Sequence, residues 1–149
     1  MSKKASGFAY RERLLPGISF YLASLVIPVA SYLICLAFST DMALYAAVII
    51  EVLLIALSVL TSPSITISEG FLKVRKATIP MELLGDTEVI SKAEGFLERG
   101  RKLDPRAYVS FQIGVKTLIK VEISDAADPT PYWLFATRNP LVLKKLLTK

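Results

Sequence analysis

The chain contains no histidine and only one cysteine, Cys35, among its 149 residues. Without histidine, the most common general base and metal ligand is missing, together with every Ser-His or Cys-His nucleophile pair. A single cysteine cannot form a disulfide within the chain, so it does not indicate a redox compartment. No other set of nucleophile, base and oxyanion donor converges in the sequence, and we therefore expect neither enzymatic activity nor a cofactor.

Charge is nearly absent between residues 14 and 60, where Asp41 and Glu51 are the only charged side chains. Residues 16–38 and 42–60 form two apolar runs, and the first would extend roughly 34 Å as a helix, enough to cross a membrane. The short segment between them favours an antiparallel helical hairpin, with Asp41 as the N-cap of the second helix. A cleaved signal peptide is the alternative for the first run, but the second run follows it almost at once.

Basic residues flank the two apolar runs but are missing from the loop between them. By the positive-inside rule, this asymmetry predicts a multi-pass protein of the cytoplasmic (inner) cell membrane, with both termini in the cytoplasm. The residues concerned are Lys3, Lys4, Arg11 and Arg13 before the first run, and Lys73, Arg75 and Lys76 after the second. The predicted division is a cytoplasmic segment 1–13, a membrane hairpin 14–60 and a cytoplasmic domain 62–149.

The domain after the hairpin is predicted to be mainly β-structure, because apolar residues alternate with polar ones. The alternation predicts strands over 64–68, 71–76, 78–84 and 87–91, a hairpin over 108–124 and a strand over 132–137. Asn139 and Pro140 then predict the start of a helix whose inner stripe is Leu143, Leu146 and Leu147. Trp133 is expected in the core.

The order of these strands, and the stretch SEGFLKVRKATIPMELLGDTEVIS at 68–91, resembles the pleckstrin-homology-like domains of bacterial membrane proteins. That resemblance implies a small barrel or sandwich closed at one end by the C-terminal helix. Three blocks, YRERL at 10–14, LDPRAYV at 103–109 and DPTPYWLFATRNP at 128–140, together resemble an actinobacterial membrane-protein family known only as a domain of unknown function. The family implies a membrane location and two spans, and it brings no activity, cofactor or catalytic residues.

Two Asp-Pro motifs precede aromatic-led strands and suggest a candidate interaction surface for a polar ligand or a protein tail. Its members would be Asp104, Arg106, Asp128, Tyr132 and Arg138, gathered at one end of the domain. The alternative is that Asp104 and Asp128 form Asx-turns, which explains both motifs by turn chemistry alone.

Glu51 lies in the middle of the second apolar run, where an ionised carboxylate costs about 3 kcal/mol. We expect it to be protonated and to donate to Ser31, Tyr32 or the carbonyl of Ser24, which Pro28 leaves without its helical partner. Its role is then either a contact with a partner membrane helix, a proton relay, or simple satisfaction within the hairpin or an oligomer.

Five basic residues are candidates to face anionic lipid: Arg11, Arg13, Lys73, Arg75 and Lys76. Arg11 and Arg13 could instead serve only as an orientation signal, or belong to a docking surface in which Glu12 pairs with Arg106. A merely solvated face is the alternative for the others. Nucleic acid is not expected as a partner, because the aromatic residues that stack bases are not interleaved with these cations.

The features together predict a membrane-anchored, non-enzymatic interaction module at the cytoplasmic membrane face. It would bind anionic lipid headgroups or a protein partner, which includes a second copy of the chain. The alternative is a structural accessory subunit or assembly factor of a larger membrane or envelope complex.

Overall fold

The computed structural model describes residues 8–148, so Lys3 and Lys4 lie outside the described residues. The chain separates into two compact units. One is a helical hairpin, residues 15–62, and the other is a β domain formed by the residues up to Leu14 together with those from Pro63 onward. The hairpin is therefore inserted into the β domain in sequence. This division differs from the prediction, which began the β domain only after the hairpin.

The hairpin contains helices α1 (Ile18–Ser24), α2 (Val26–Cys35) and α3 (Thr40–Leu60). The break between α1 and α2 has a direct cause, because Pro28 has no N–H to donate to the carbonyl four residues earlier. The N-cap of α3 is Ser39 rather than the predicted Asp41, which lies in the first turn of the helix.

The hairpin helices are long and apolar enough to cross a membrane. The windows Ile18–Cys35 and Thr40–Leu60 have mean hydropathies of 2.0 and 2.6, and only 11% of each window is buried. A core helix of a soluble protein would be mostly buried, because its apolar side chains would pack against the rest of the fold. The hairpin leaves most of its apolar surface uncovered.

The first sheet has the strand order β1-β2-β3-β4, and every neighbouring pair is antiparallel. Its strands are β1 (Phe8–Arg13), β2 (Ser64–Ser68), β3 (Phe71–Val74) and β4 (Ala77–Pro80). Sequence periodicity missed β1, because its inward-facing positions hold Tyr10 and Glu12 rather than aliphatic residues. Just beyond this pairing, the backbone N–H of Leu14 donates to the carbonyl oxygen of Pro63 at 2.9 Å, which closes the base of the insertion.

The second sheet has the order β5-β7-β8-β6. Its strands are β5 (Leu84–Ile90), β6 (Tyr108–Ser110), β7 (Leu118–Ile123) and β8 (Tyr132–Ala136). The predicted hairpin over 108–124 is wrong, because β6 pairs in parallel with β8 and β7 lies between β5 and β8. All five residues of β8 are buried, as expected for a central strand covered on both faces.

Three short helical segments complete the domain: a 3-10 turn (Met81–Leu83), α4 (Gly95–Arg99) and the C-terminal α5 (Pro140–Leu147). The 3-10 turn interrupts the strand predicted over 78–84. Leu143 and Leu147 of α5 are buried as predicted, whereas Leu146 is 37% exposed and does not belong to the inner stripe.

The core of the β domain is one cluster to which both sheets contribute. Ile65 and Leu72 from the first sheet, and Phe135 from the second, are completely buried. Trp133 is 5% exposed and belongs to the same cluster, as predicted. The β domain is therefore a sandwich-like arrangement of two open sheets with a terminal helix.

The insertion predicts that the β domain folds without the hairpin if both of its chain segments are kept. We expect residues 8–14 joined to 63–149 by about four glycine and serine residues, a length typical of hairpin loops, to unfold cooperatively. Residues 63–149 alone should be less stable by at least about 2 kcal/mol, because they lack the buried Leu14 side chain and the β1 edge. Urea unfolding followed by circular dichroism measures the difference, and equal midpoints would contradict the assignment of β1 to this domain.

Candidate functional site

The outward side of the first sheet carries cations on β1 and β3, the two strands that flank β2. Arg11 on β1 is opposite Thr66 on β2, and Thr66 is opposite Lys73 on β3. Side chains alternate between the two faces of a strand, so this row lies on the side opposite the buried Ile65 and Ile67. Arg11 and Lys73 are exposed. The register thus brings two cations from distant parts of the sequence onto one surface.

A second basic row lies next to the closed base of the insertion. Arg13 is opposite Ser64, whose carbonyl oxygen accepts the backbone N–H of Arg75 at 2.9 Å. Lys76 follows in the same turn and is exposed. At the outward strand positions of the described first sheet there is no acidic residue. We call this surface the basic face, and its members are Arg11, Arg13, Lys73, Arg75 and Lys76.

Arg75 has an unusual backbone conformation, with φ of 55°. An L-residue in this left-handed region costs roughly 1–2 kcal/mol relative to the right-handed region, a cost that glycine avoids. The turn between β2 and β3 also holds a non-glycine residue in this region, Glu69 at φ of 52°, next to Gly70 at φ of 80°.

Glu12 points inward and joins β1 to the segment that links β8 to α5. Its carboxylate accepts hydrogen bonds from the hydroxyls of Tyr10 and Thr137, both at 2.7 Å, and from the backbone N–H of Arg138 at 2.8 Å. Burial raises the pKa of Tyr10, and the hydrogen bond to Glu12 raises it further. We call these four residues the Glu12 clamp. The expected pairing of Glu12 with Arg106 is not found, because the Arg106 guanidinium pairs with Asp104.

Asp104, Arg106 and Tyr132 lie together, but their contacts are with one another. The Asp104 carboxylate accepts the backbone N–H of Arg106 at 2.8 Å and forms an ion pair with its guanidinium at 3.1 Å. Both contacts lower the pKa of Asp104 and the ion pair raises the pKa of Arg106. The buried Tyr132 hydroxyl accepts the backbone N–H of Asp104 at 2.8 Å. Tyr132 therefore holds the loop in place rather than facing a ligand.

Asp128 also forms an Asx-turn, in which its carboxylate accepts the backbone N–H of Thr130 at 2.8 Å. A hydrogen bond with the Thr130 side chain lowers the pKa of Asp128, and the backbone hydrogen bond lowers it further. The loops before β6 and β8 lie at one end of the sheet, because the two strands are parallel. Arg138 follows the opposite end of β8 and does not join the other four residues of the predicted interaction surface. Turn chemistry accounts for both Asp-Pro motifs.

Glu98 is a buried acidic residue that the sequence did not indicate. It lies on α4, is 6% exposed, and forms ion pairs with Lys102 at 3.3 Å and with Lys120 at 3.6 Å. The Lys120 ammonium also lies 4.4 Å from the centre of the Tyr132 ring. These contacts hold the charged segment 92–106 against the second sheet. The apolar periodicity of this segment is weak, so its sequence does not indicate that Glu98 is buried. Only the fold shows this.

Glu51 on α3 contacts Ser24 on α1, with 3.2 Å between Oε1 of Glu51 and the hydroxyl oxygen of Ser24. The Ser24 hydroxyl donates to Oε1 and also lies 2.8 Å from a second acceptor, the carbonyl oxygen of Tyr21. The predicted partners Ser31 and Tyr32 do not take this role in the described hairpin. The second carboxyl oxygen is buried without a hydrogen-bond partner.

The Glu51 side chain also lines an apolar cavity of about 300 Å³ on the hairpin. The cavity is lined, besides Glu51, by Leu25, Pro28, Val29, Tyr32, Ala47 and Val48. A buried acceptor without a donor is energetically unfavourable, by about 1–3 kcal/mol. The hairpin alone thus leaves one polar group unsatisfied.

The described chain is a β domain of two four-stranded sheets with a pair of apolar helices inserted after its first strand. Residues 9–147 match a family described as proteins of unknown function, DUF3093. The match covers almost the whole chain, so the chain belongs to this family. This confirms the prediction that the chain is a member of a family known only as a domain of unknown function. Comparisons with curated proteins and with solved structures found no match.

The Glu12 clamp predicts a loss of stability when its carboxylate is removed. We expect Glu12→Ala to destabilise the β domain by about 1–3 kcal/mol, since it leaves the Thr137 hydroxyl and the Arg138 N–H without an acceptor. Glu12→Gln keeps one acceptor oxygen and should cost less. Both changes should lower the pKa of Tyr10 toward its ordinary value, because the carboxylate that disfavours the phenolate is gone.

Urea unfolding measures the stability, and NMR of tyrosine labelled with ¹³C at Cζ measures the pKa of Tyr10. Glu82→Gln is a matched control, because Glu82 is exposed and lies outside the clamp. An unchanged Tyr10 pKa in Glu12→Gln would show that the clamp does not form in solution.

Proposed function

We propose that this protein is anchored in the cytoplasmic membrane by its hairpin, with both termini in the cytoplasm, and works as a non-enzymatic interaction module. Its basic face binds anionic lipid headgroups. The observation that carries the proposal is the register of the first sheet, which aligns cations from both sides of the insertion on one surface without an intervening acid. Each cation near an anionic leaflet contributes about 1 kcal/mol of attraction.

The connectivity of the two units supports this anchoring. Because β1 and β2 are hydrogen-bonded neighbours, the segments before and after the hairpin belong to one folded domain and must lie on the same side of a membrane. An inserted pair of spans meets this requirement, whereas a single span would separate the two strands. The excess of basic residues on these segments favours the cytoplasmic side.

The β domain supplies a surface rather than a reaction centre in this proposal. Among the described residues, no group of three or more potential metal ligands occurs. The sandwich-like sheets with a C-terminal helix are compatible with the pleckstrin-homology-like domain that the sequence resembles, and we propose that relationship as well. Such domains commonly present a surface to lipids or to protein segments, which agrees with the exposed cations.

The basic face can be tested with a spin label on the full chain in lipid nanodiscs. The label is placed at Thr66→Cys, between Arg11 and Lys73, in a background with Cys35→Ser. We expect anionic phosphatidylglycerol discs to protect this label from a water-soluble relaxation agent, and high salt to remove the protection, because exposed charges are screened beyond about 3 Å at 1 M salt. Lys73→Glu should also reduce the protection.

A label at Ser124→Cys, an exposed position after β7, serves as the matched control. Protection of Thr66→Cys that is equal in phosphatidylcholine and phosphatidylglycerol discs, or that is insensitive to salt, would contradict lipid binding by the basic face.

A second candidate function is that of an accessory subunit whose hairpin packs against a partner membrane helix. Two observations favour it: one Glu51 oxygen is buried without a hydrogen-bond donor, and the Glu51 side chain lines an apolar cavity. A donor on a partner helix, such as a serine or asparagine side chain, would satisfy this oxygen.

For this candidate, Glu51→Leu should leave insertion and abundance unchanged but reduce the recovery of the partner helix about tenfold, the effect of losing about 1.4 kcal/mol. The measurement is quantitative mass spectrometry after purification in mild detergent. Asp41→Asn, at the other acidic position of the hairpin, is the control. A co-purifying chain that is recovered equally with wild type and Glu51→Leu would exclude Glu51 as the contact.

A further inference from the structure

Three cations form a row across the end of the second sheet. Within the sheet, Ile90, Leu118 and Ala136 are direct neighbours on β5, β7 and β8. Three basic residues lie two positions beyond these, just outside the strands. They are Lys92, Lys116 and Arg138. Sequence periodicity could not group them, because they come from three separate segments.

The intermediate step of this register is directly observed between β7 and β8. The backbone N–H of Thr137 donates to the carbonyl oxygen of Thr117 at 3.2 Å, and the Thr117 hydroxyl donates to the carbonyl oxygen of Thr137. Lys116 and Arg138 are the next residues outward from this pair.

The three cations line one cavity, with a volume of about 420 Å³. The remaining lining residues are Gly114, Val115 and Thr117, and none of the described lining residues is acidic. All three cations are exposed. Their positive charges would attract an anion of two or more charges into this cavity.

The backbone that carries these cations is held in place. Val115 is 4% exposed, and the Arg99 guanidinium donates to the carbonyl oxygens of Val115 at 3.1 Å and of Lys116 at 3.5 Å. On the other side, the Glu12 carboxylate accepts the backbone N–H of Arg138. The row is thus built on fixed backbone, which lowers the entropy cost of binding a ligand.

We propose that this cavity binds a phosphate group, held by the ammonium groups of Lys92 and Lys116 and the guanidinium of Arg138. Phosphate fits because its several oxygens accept charge-assisted hydrogen bonds from more than one cation, and arginine can bind it through two parallel N–H groups. The Thr117 hydroxyl already donates to Thr137, so the cations supply the donors.

The phosphate can come from a lipid headgroup or from a free solute. A large apolar side chain is exposed within four residues of each cation, namely Phe96, Ile113 and Leu141. These apolar side chains favour a headgroup, and only this choice of source rests on the proposed membrane function.

The test uses the full chain in phosphatidylcholine nanodiscs. One arm adds inorganic phosphate and follows the NMR signals of Lys116 and Arg138 side chains. The other arm includes phosphatidic acid in the discs and counts the lipids retained by native mass spectrometry. Lys116→Gln and Arg138→Gln should each weaken binding about tenfold, the effect expected for one charge-assisted contact. Lys145→Gln, an exposed cation on α5 outside the row, is the matched control.

Saturable binding of inorganic phosphate that is weakened by Lys116→Gln would identify a free phosphate as sufficient. Retention of phosphatidic acid alone, weakened in the same way, would identify the headgroup as the ligand. Binding that Lys116→Gln leaves unchanged, or no binding in either arm, would overturn the proposal. Loss of binding in Lys73→Gln but not in Lys116→Gln would also overturn it, while leaving the proposed basic face intact.

Discussion

The pairing of β1 with β2 across the inserted hairpin is the constraint on which the rest of the molecule depends. Arg13 is opposite Ser64, and Leu14 donates to Pro63, although the two sides of these contacts are separated by the whole hairpin. Glu12 then joins β1 to the beginning of α5. These contacts make one domain of two chain segments and bring both ends of the hairpin to one place. A membrane crossing inserted there must consist of an even number of spans.

The sheet registers also decide which charges meet. In the first sheet, Arg11 and Lys73 become neighbours on the two sides of Thr66. At the end of the second sheet, the fold brings Lys92, Lys116 and Arg138 to one cavity. The proposed binding of anionic lipid or phosphate would use these two groups of positive charge directly.

Much of the fold could be predicted from alternation and composition, including β2, the central β7 and β8, the buried Trp133 and the start of α5 at Pro140. The strand β1 could not, because Tyr10 and Glu12 occupy its inward positions and the pattern carries no aliphatic signal. The parallel pairing of β6 with β8 could not be predicted either. A three-residue strand carries little information about register, and strands that follow one another in sequence usually pair as hairpins. Of the predicted interaction surface, Asp104, Arg106, Asp128 and Tyr132 are explained by turns and packing, and Arg138 lies elsewhere.

The sequence by itself determined the two apolar helices, the helix break that Pro28 causes, and the cost of placing Glu51 between apolar residues. These properties are local, because chain length, missing N–H groups and side-chain polarity do not depend on distant contacts. Only the tertiary structure decided that β1 belongs to the domain after the hairpin, that Ser24 is the partner of Glu51, and that Lys92, Lys116 and Arg138 share one cavity. Each of these facts joins residues far apart in the chain, and such contacts follow from strand register and packing, which no local pattern encodes.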